Sequence, residues 1–170
     1  MGQGIRLTEI VEKMDLKNLT PEVEMTEKEV HVPDVNRPSL QLAGFFDHFD
    51  SSRVQIIGNV EHTYVQTLSE KRREEIFDKL LQHPIPCVVF CRNMDPVDGF
   101  LEKAVKYGVP VFKTAKQTSD FTAEIIRWMN VKLAPCISIH GVLVDVYVGG
   151  VLIMGESGIG KSTVLRLLLR

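Results

Sequence analysis

The sequence predicts an α/β fold over residues 1–131, followed over residues 132–170 by the opening of a second domain. Three observations predict it. Short apolar runs alternate with amphipathic segments from about residue 53 to residue 131; the alternation stops near "NVKLAP"; and β-rich runs then lead straight into "GESGIGKS", residues 155–162. Strands separated by helices imply a mostly parallel sheet covered by helices. A chain of 170 residues has room for one ordinary domain and a piece of another.

Each element follows from spacing or punctuation. Leu7, Ile10, Val11 and Met14 recur at helical intervals and predict a short amphipathic helix. "EVEM" and "EVHV" alternate as small strands, and Pro38 stands where a helix can begin in "NRPSLQLAGFFDHF". "RVQIIG" is a strand, and "SEKRREEIFDKLLQH" is a helix capped by Ser69. Its alternating charges suit a solvated face with i,i+4 pairs better than a binding patch. "PCVVF" is the next strand, and "DPVDGFLEKAVKYG" is a helix with Pro96 near its start and Gly108 placed to end it. "VPVFKT" follows as a strand, and "SDFTAEIIRWMNVKL" as a helix with Phe121, Ile125, Trp128 and Met129 on one face. Beyond it "CISI", "VLVDVYV" and "GVLIM" are β-rich with no helix between them.

Composition narrows the class. An apolar fraction of 44% beside a charged fraction of 25% is that of a chain able to bury a core, so global disorder is excluded. The formal net charge of −2 leaves no electrostatic footprint for nucleic acid or an anionic membrane. No run approaches the roughly 20 apolar residues of a membrane span, and the first residues lack the pattern of a secretion signal, so the expectation is a cytoplasmic protein. Gly2 is not read as a myristoylation site, because Arg6 stands where Ser or Thr is expected. Cys87, Cys91 and Cys136 are odd in number and lack a second Cys or His pair at ligand spacing; they read as buried thiols in a reducing compartment.

The chemistry concentrates at the end of the sequence. Gly155, Glu156, Ser157, Gly158, Ile159, Gly160, Lys161 and Ser162 satisfy G-x-x-x-x-G-K-[ST] in full, after an apolar run and before "STVLRLLLR", a helix start. Glycines let the backbone approach phosphate oxygens so that successive amides and a helix N-terminus face the anion. Lys161 would reach the β- and γ-phosphates of a nucleotide, and the Ser162 hydroxyl would ligate Mg²⁺. His140 lies fifteen residues before Gly155. It is either a polar residue at a strand end or, if the following strands form a hairpin that returns to the loop, a neighbour of the nucleotide. Asp145 alternates with apolar residues as a solvent-facing strand position does. His31, His48, His62 and His83 are scattered and read as surface or helix residues.

Two long motifs carry a family resemblance. "HGVLVDVYVGGVLIMGESGIGKS", residues 140–162, resembles the core of the bacterial HPr kinase/phosphorylase, and "NRPSLQLAGFFDHFDSSRVQIIG", residues 36–58, is similar to its amino-terminal domain; "VPDVNRP" and "CRNMDP" extend the likeness. The resemblance implies an amino-terminal α/β domain similar to one in the muramyl ligases, then a P-loop kinase domain similar to phosphoenolpyruvate carboxykinase. It implies a homohexamer that uses ATP or pyrophosphate with Mg²⁺ to phosphorylate a regulatory serine of the carrier protein HPr. The same enzyme removes that group with inorganic phosphate, and fructose 1,6-bisphosphate and phosphate set the direction, which places the protein in carbon catabolite repression. His140 then matches the family's active-site histidine, Lys161 its phosphate-loop lysine and Ser162 its magnesium-ligating serine.

The likeness has departures. Thr163 stands where members usually carry an acidic residue, and "VLRLLLR" is not the usual continuation. The family's catalytic aspartate, second magnesium carboxylate and arginine-bearing segment lie beyond Arg170. By this reading the 170 residues alone are inactive, or serve only as a binding or assembly module.

Overall fold

The computed structural model describes residues 4–135, 141–146 and 149–154, and the chain divides into two compact units, Met1–Ala134 and Pro135–Arg170. The first unit runs β1 (Ile5–Arg6), α1 (Leu7–Met14), β2 (Lys17–Asn18), β3 (Glu29–Val30), β4 (Val35–Asn36), α2 (Ser39–Leu42), β5 (Val54–Ile57), α3 (Asn59–Thr67), α4 (Glu70–Leu81), β6 (Val88–Phe90), α5 (Phe100–Lys106), β7 (Val111–Lys113) and α6 (Thr118–Leu133). A five-stranded sheet has the order β2-β7-β6-β5-β4; β4 to β7 are parallel, and β2 joins antiparallel at one edge. β1 and β3 form a separate antiparallel pair, with Ile5 opposite Val30.

The parallel strands are short and apolar because both faces are covered. Val54, Ile56, Cys87, Val89, Cys91 and Phe112 point to one face and pack with Leu7, Ile10 and Met14 of α1 and Phe121, Ile125 and Met129 of α6. Ile57, Val88, Phe90 and Val111 point the other way, against Leu42, Val65, Ile76, Phe77, Leu80, Phe100 and Ala104 of α2 to α5. Side chains on a strand alternate faces, so a strand buried on both sides shows an unbroken apolar run. From β4 to β7 the chain steps one strand at a time in one direction. Right-handed crossovers then lay every connecting helix on the same face. α1 and α6, which flank that run in sequence, cover the opposite face.

Caps set several boundaries. The Ser69 hydroxyl accepts from the Arg72 amide at 3.4 Å, as its position before α4 predicts. α1 ends on Asp15 in the left-handed region, φ 52°, whose amide returns to the carbonyls of Val11 and Glu12. α5 starts at Phe100, later than Pro96 suggests, because Gly99 has φ 84° and cannot belong to a helix turn; Gly108, φ 65°, closes it. The edge strand β4 is two residues long and bracketed by Pro33 and Pro38, which blunts it against pairing with another chain.

Two local expectations differ from the structure, and one helix, α3, was not anticipated. "EVEM" is a turn: the Val23 amide bonds to the Thr20 carbonyl at 3.0 Å, and Val23 is buried without a strand partner. α3 has no apolar stripe to announce it, since its buried residues are Glu61 and Val65 while Val60 and Tyr64 face out. On α4 the ion pair is Arg72 with Glu75, three residues apart at 3.1 Å rather than four, and Asp78 reaches across to Lys103 of α5 at 2.6 Å and to Tyr107, just past the end of α5, at 2.8 Å.

In the second unit β8 (Gly141–Val146) and β9 (Gly149–Met154) form an antiparallel hairpin, in register from Gly141 opposite Met154 to Val146 opposite Gly149. Among the described residues no helix is long and apolar enough to cross a membrane.

Candidate functional site

The two strands that follow residue 140 in the sequence form a hairpin. Gly141, the first residue of β8, is the register partner of Met154, the last residue of β9. The chain therefore enters β8 and leaves β9 at the same end of the hairpin. His140 and the loop residues Gly155, Glu156, Ser157, Gly158, Ile159, Gly160, Lys161 and Ser162 lie outside the described residues, as does Cys136.

In the first unit the structure reveals a polar cluster at the carboxyl ends of β4 and β5 that the sequence reading did not pick out. Glu61, on the first turn of α3, is 1% exposed. Its carboxylate accepts from Arg37 Nη2 at 2.9 Å, Ser39 Oγ at 2.5 Å and the Gly58 amide at 3.0 Å. The bond to Gly58 is half of a capping box, since the glycine offers no side chain in return. Arg37 and Ser39 follow β4 and Gly58 follows β5, so a single carboxylate ties both strand ends to α3. Beside it, a Cβ on Gly58 would come within 2.7 Å of Thr118 Oγ1 at the start of α6. Glycine at 58 thus permits the close approach of β5 and α6. The Glu61 carboxylate accepts from three groups of the protein itself, which makes the cluster a clamp between the two strand ends and α3.

Burial pushes the Glu61 carboxyl up, but the hydrogen bonds from Arg37, Ser39 and backbone amides outweigh it, and the group titrates below the ordinary value of 4.5. The unfolded chain then takes up the proton at higher pH than the folded one. Stability from this group is present in full above about pH 4.5 and is lost as pH falls through the lower folded value. Glu61→Gln is expected to cost about 1–3 kcal/mol at pH 7 and much less near pH 3. Urea unfolding of both proteins at the two pH values checks this; an unchanged difference would assign the effect to shape rather than charge.

The remaining candidates fall in ordinary places. His62 Nε2 lies 2.9 Å from the Asp95 carbonyl, His31 pairs with Glu29 at 3.5 Å, and His83 stacks on Phe46 with ring centroids 5.5 Å apart. Among the described residues no group of three or more His, Cys, Asp or Glu side chains is placed to hold a metal ion. Cys87 and Cys91 are free and buried, and burial pushes the Cys87 thiol up to about 12. In a Cys136→Ser background both thiols are expected to resist Ellman's reagent at pH 8 and to react fully in 6 M guanidinium, since the thiolate is the nucleophile. Rapid reaction of the folded protein would contradict their burial.

The first unit is an α/β domain, and the second contains a β-hairpin that precedes "GESGIGKS" in the sequence. A family profile described as "HPr Serine kinase N terminus" matches residues 5–129, and one described as "HPr Serine kinase C-terminal domain" matches residues 131–170. The chain belongs to the HPr serine kinase family. It is similar to an HPr kinase/phosphorylase of Lachnoclostridium phytofermentans, 58% identical over 158 residues that cover 93% of this chain and 51% of the relative. Relatives of the same name from Caldicellulosiruptor bescii and Clostridium tetani are 43% and 39% identical, covering 95% and 98% of this chain and 52% and 54% of theirs. The chain spans about half the length of these curated relatives. A solved structure, the CBS and DRTGG domains of a Clostridium perfringens pyrophosphatase, aligns over 75% of this chain and 50% of its own at 14% identity and a TM-score of 0.49.

Proposed function

We propose that the chain supplies the amino-terminal domain and the phosphate loop of an HPr serine kinase/phosphorylase. The observation that carries this is the match of both family profiles, in order, to the two parts of one chain. In the proposed reaction Gly155–Ser162 cradles ATP or pyrophosphate, and Lys161 neutralises the β- and γ-phosphate oxygens. Ser162 would be a ligand of Mg²⁺, which, when bound, supplies charge neutralisation between the phosphates. His140 would act beside the loop; the register of Gly141 with Met154 supports that placement. Phosphoryl transfer asks little covalent work of the protein, so positioning and charge carry both the kinase step onto HPr and its reversal by phosphate. The muramyl-ligase and phosphoenolpyruvate-carboxykinase likenesses, the homohexamer, fructose 1,6-bisphosphate as effector, cytoplasmic location and the role in carbon catabolite repression belong to the same proposal.

The base toward the HPr serine, the family's catalytic aspartate, is assigned to the part of the relatives beyond this chain's span. The purified 170-residue chain is therefore expected to form no phosphoserine on HPr with ATP and Mg²⁺, whereas a version extended to the relatives' length forms it readily. Phosphate-affinity electrophoresis of HPr reads the outcome. Clear product from the 170 residues alone would overturn the assignment of the base. The module reading has one observation in its favour, the first unit's own two-sided core. It is supported if the 170-residue chain binds HPr or its own copies without turnover.

A further inference from the structure

We draw no further inference here: the strongest candidate, the exposed apolar patch of Leu40 and Phe45 at α2 and Val60 and Tyr64 on α3, carries nothing because nothing in the structure shows what covers it.

Discussion

Lys161→Ala, made in the protein extended to the length of its relatives, is expected to lower both ATP-dependent phosphorylation of HPr and the phosphate-dependent removal of that group as pyrophosphate, each by at least about 10²–10³-fold. The size is that of removing one preorganised charge from a site where charge develops in the transition state. The kinase step releases ADP and phosphorolysis of phosphoserine-HPr releases pyrophosphate, so the two are separate reactions; in each the transferred phosphoryl group would develop charge beside the same lysine, and its loss is expected to slow both, by factors that need not be equal. Lys161→Arg is not a conservative control, because a planar fork does not replace a compact ammonium inside a glycine loop. The measurement is initial rates of phosphoserine formation and loss on HPr, with thermal unfolding to show that the variant is folded. Retention of kinase activity with loss of the reverse reaction would refute the shared role.

Phe100→Ala is expected to be the most damaging single change within the first unit, costing about 3–5 kcal/mol. Phe100 is 2% exposed and meets Phe77 and Phe90 edge to face, with centroids 5.0 Å and 5.3 Å away. It is the first residue of α5 and the link between a helix, a neighbouring helix and a strand. Truncation removes two aromatic pairs and leaves a cavity that three elements would have to move to fill. For a domain of this size the loss corresponds to a fall in unfolding temperature of roughly 10–20 °C. Val60→Ala, at a position 67% exposed, should shift stability by less than about 0.5 kcal/mol. Scanning calorimetry of the two variants checks both; equal effects would mean that the α5 packing is not what holds this face.

Much of the fold was legible because its signals are local. Val88 to Phe90 and Val111 to Phe112 are unbroken apolar runs, as strands buried on two faces must be. Phe121, Ile125 and Met129 return every four residues, as the inner face of a helix does. Ser69 stands where a cap is needed. α3 was not legible because its inward residue is a carboxylate: Glu61 reads as surface until Arg37, 24 residues earlier, is known to reach it. "EVEM" misled in the opposite sense, since Val23 has the burial of a strand residue and no strand beside it. Alternation reports burial, and pairing is a separate fact.

The G-x-x-x-x-G-K-[ST] pattern was legible as a motif, and the family as two motifs in order, because a pattern of particular residues at adjacent positions can be read whatever surrounds it. Spacing within eight residues carries that chemistry. By itself the sequence determined the α/β class, the phosphate-loop motif and the family likeness. Tertiary structure decided that Gly141 lies opposite Met154 and that one buried glutamate clamps two strand ends, because strand register and the burial of a charge depend on partners far away in the chain, and no local pattern encodes which partner wins.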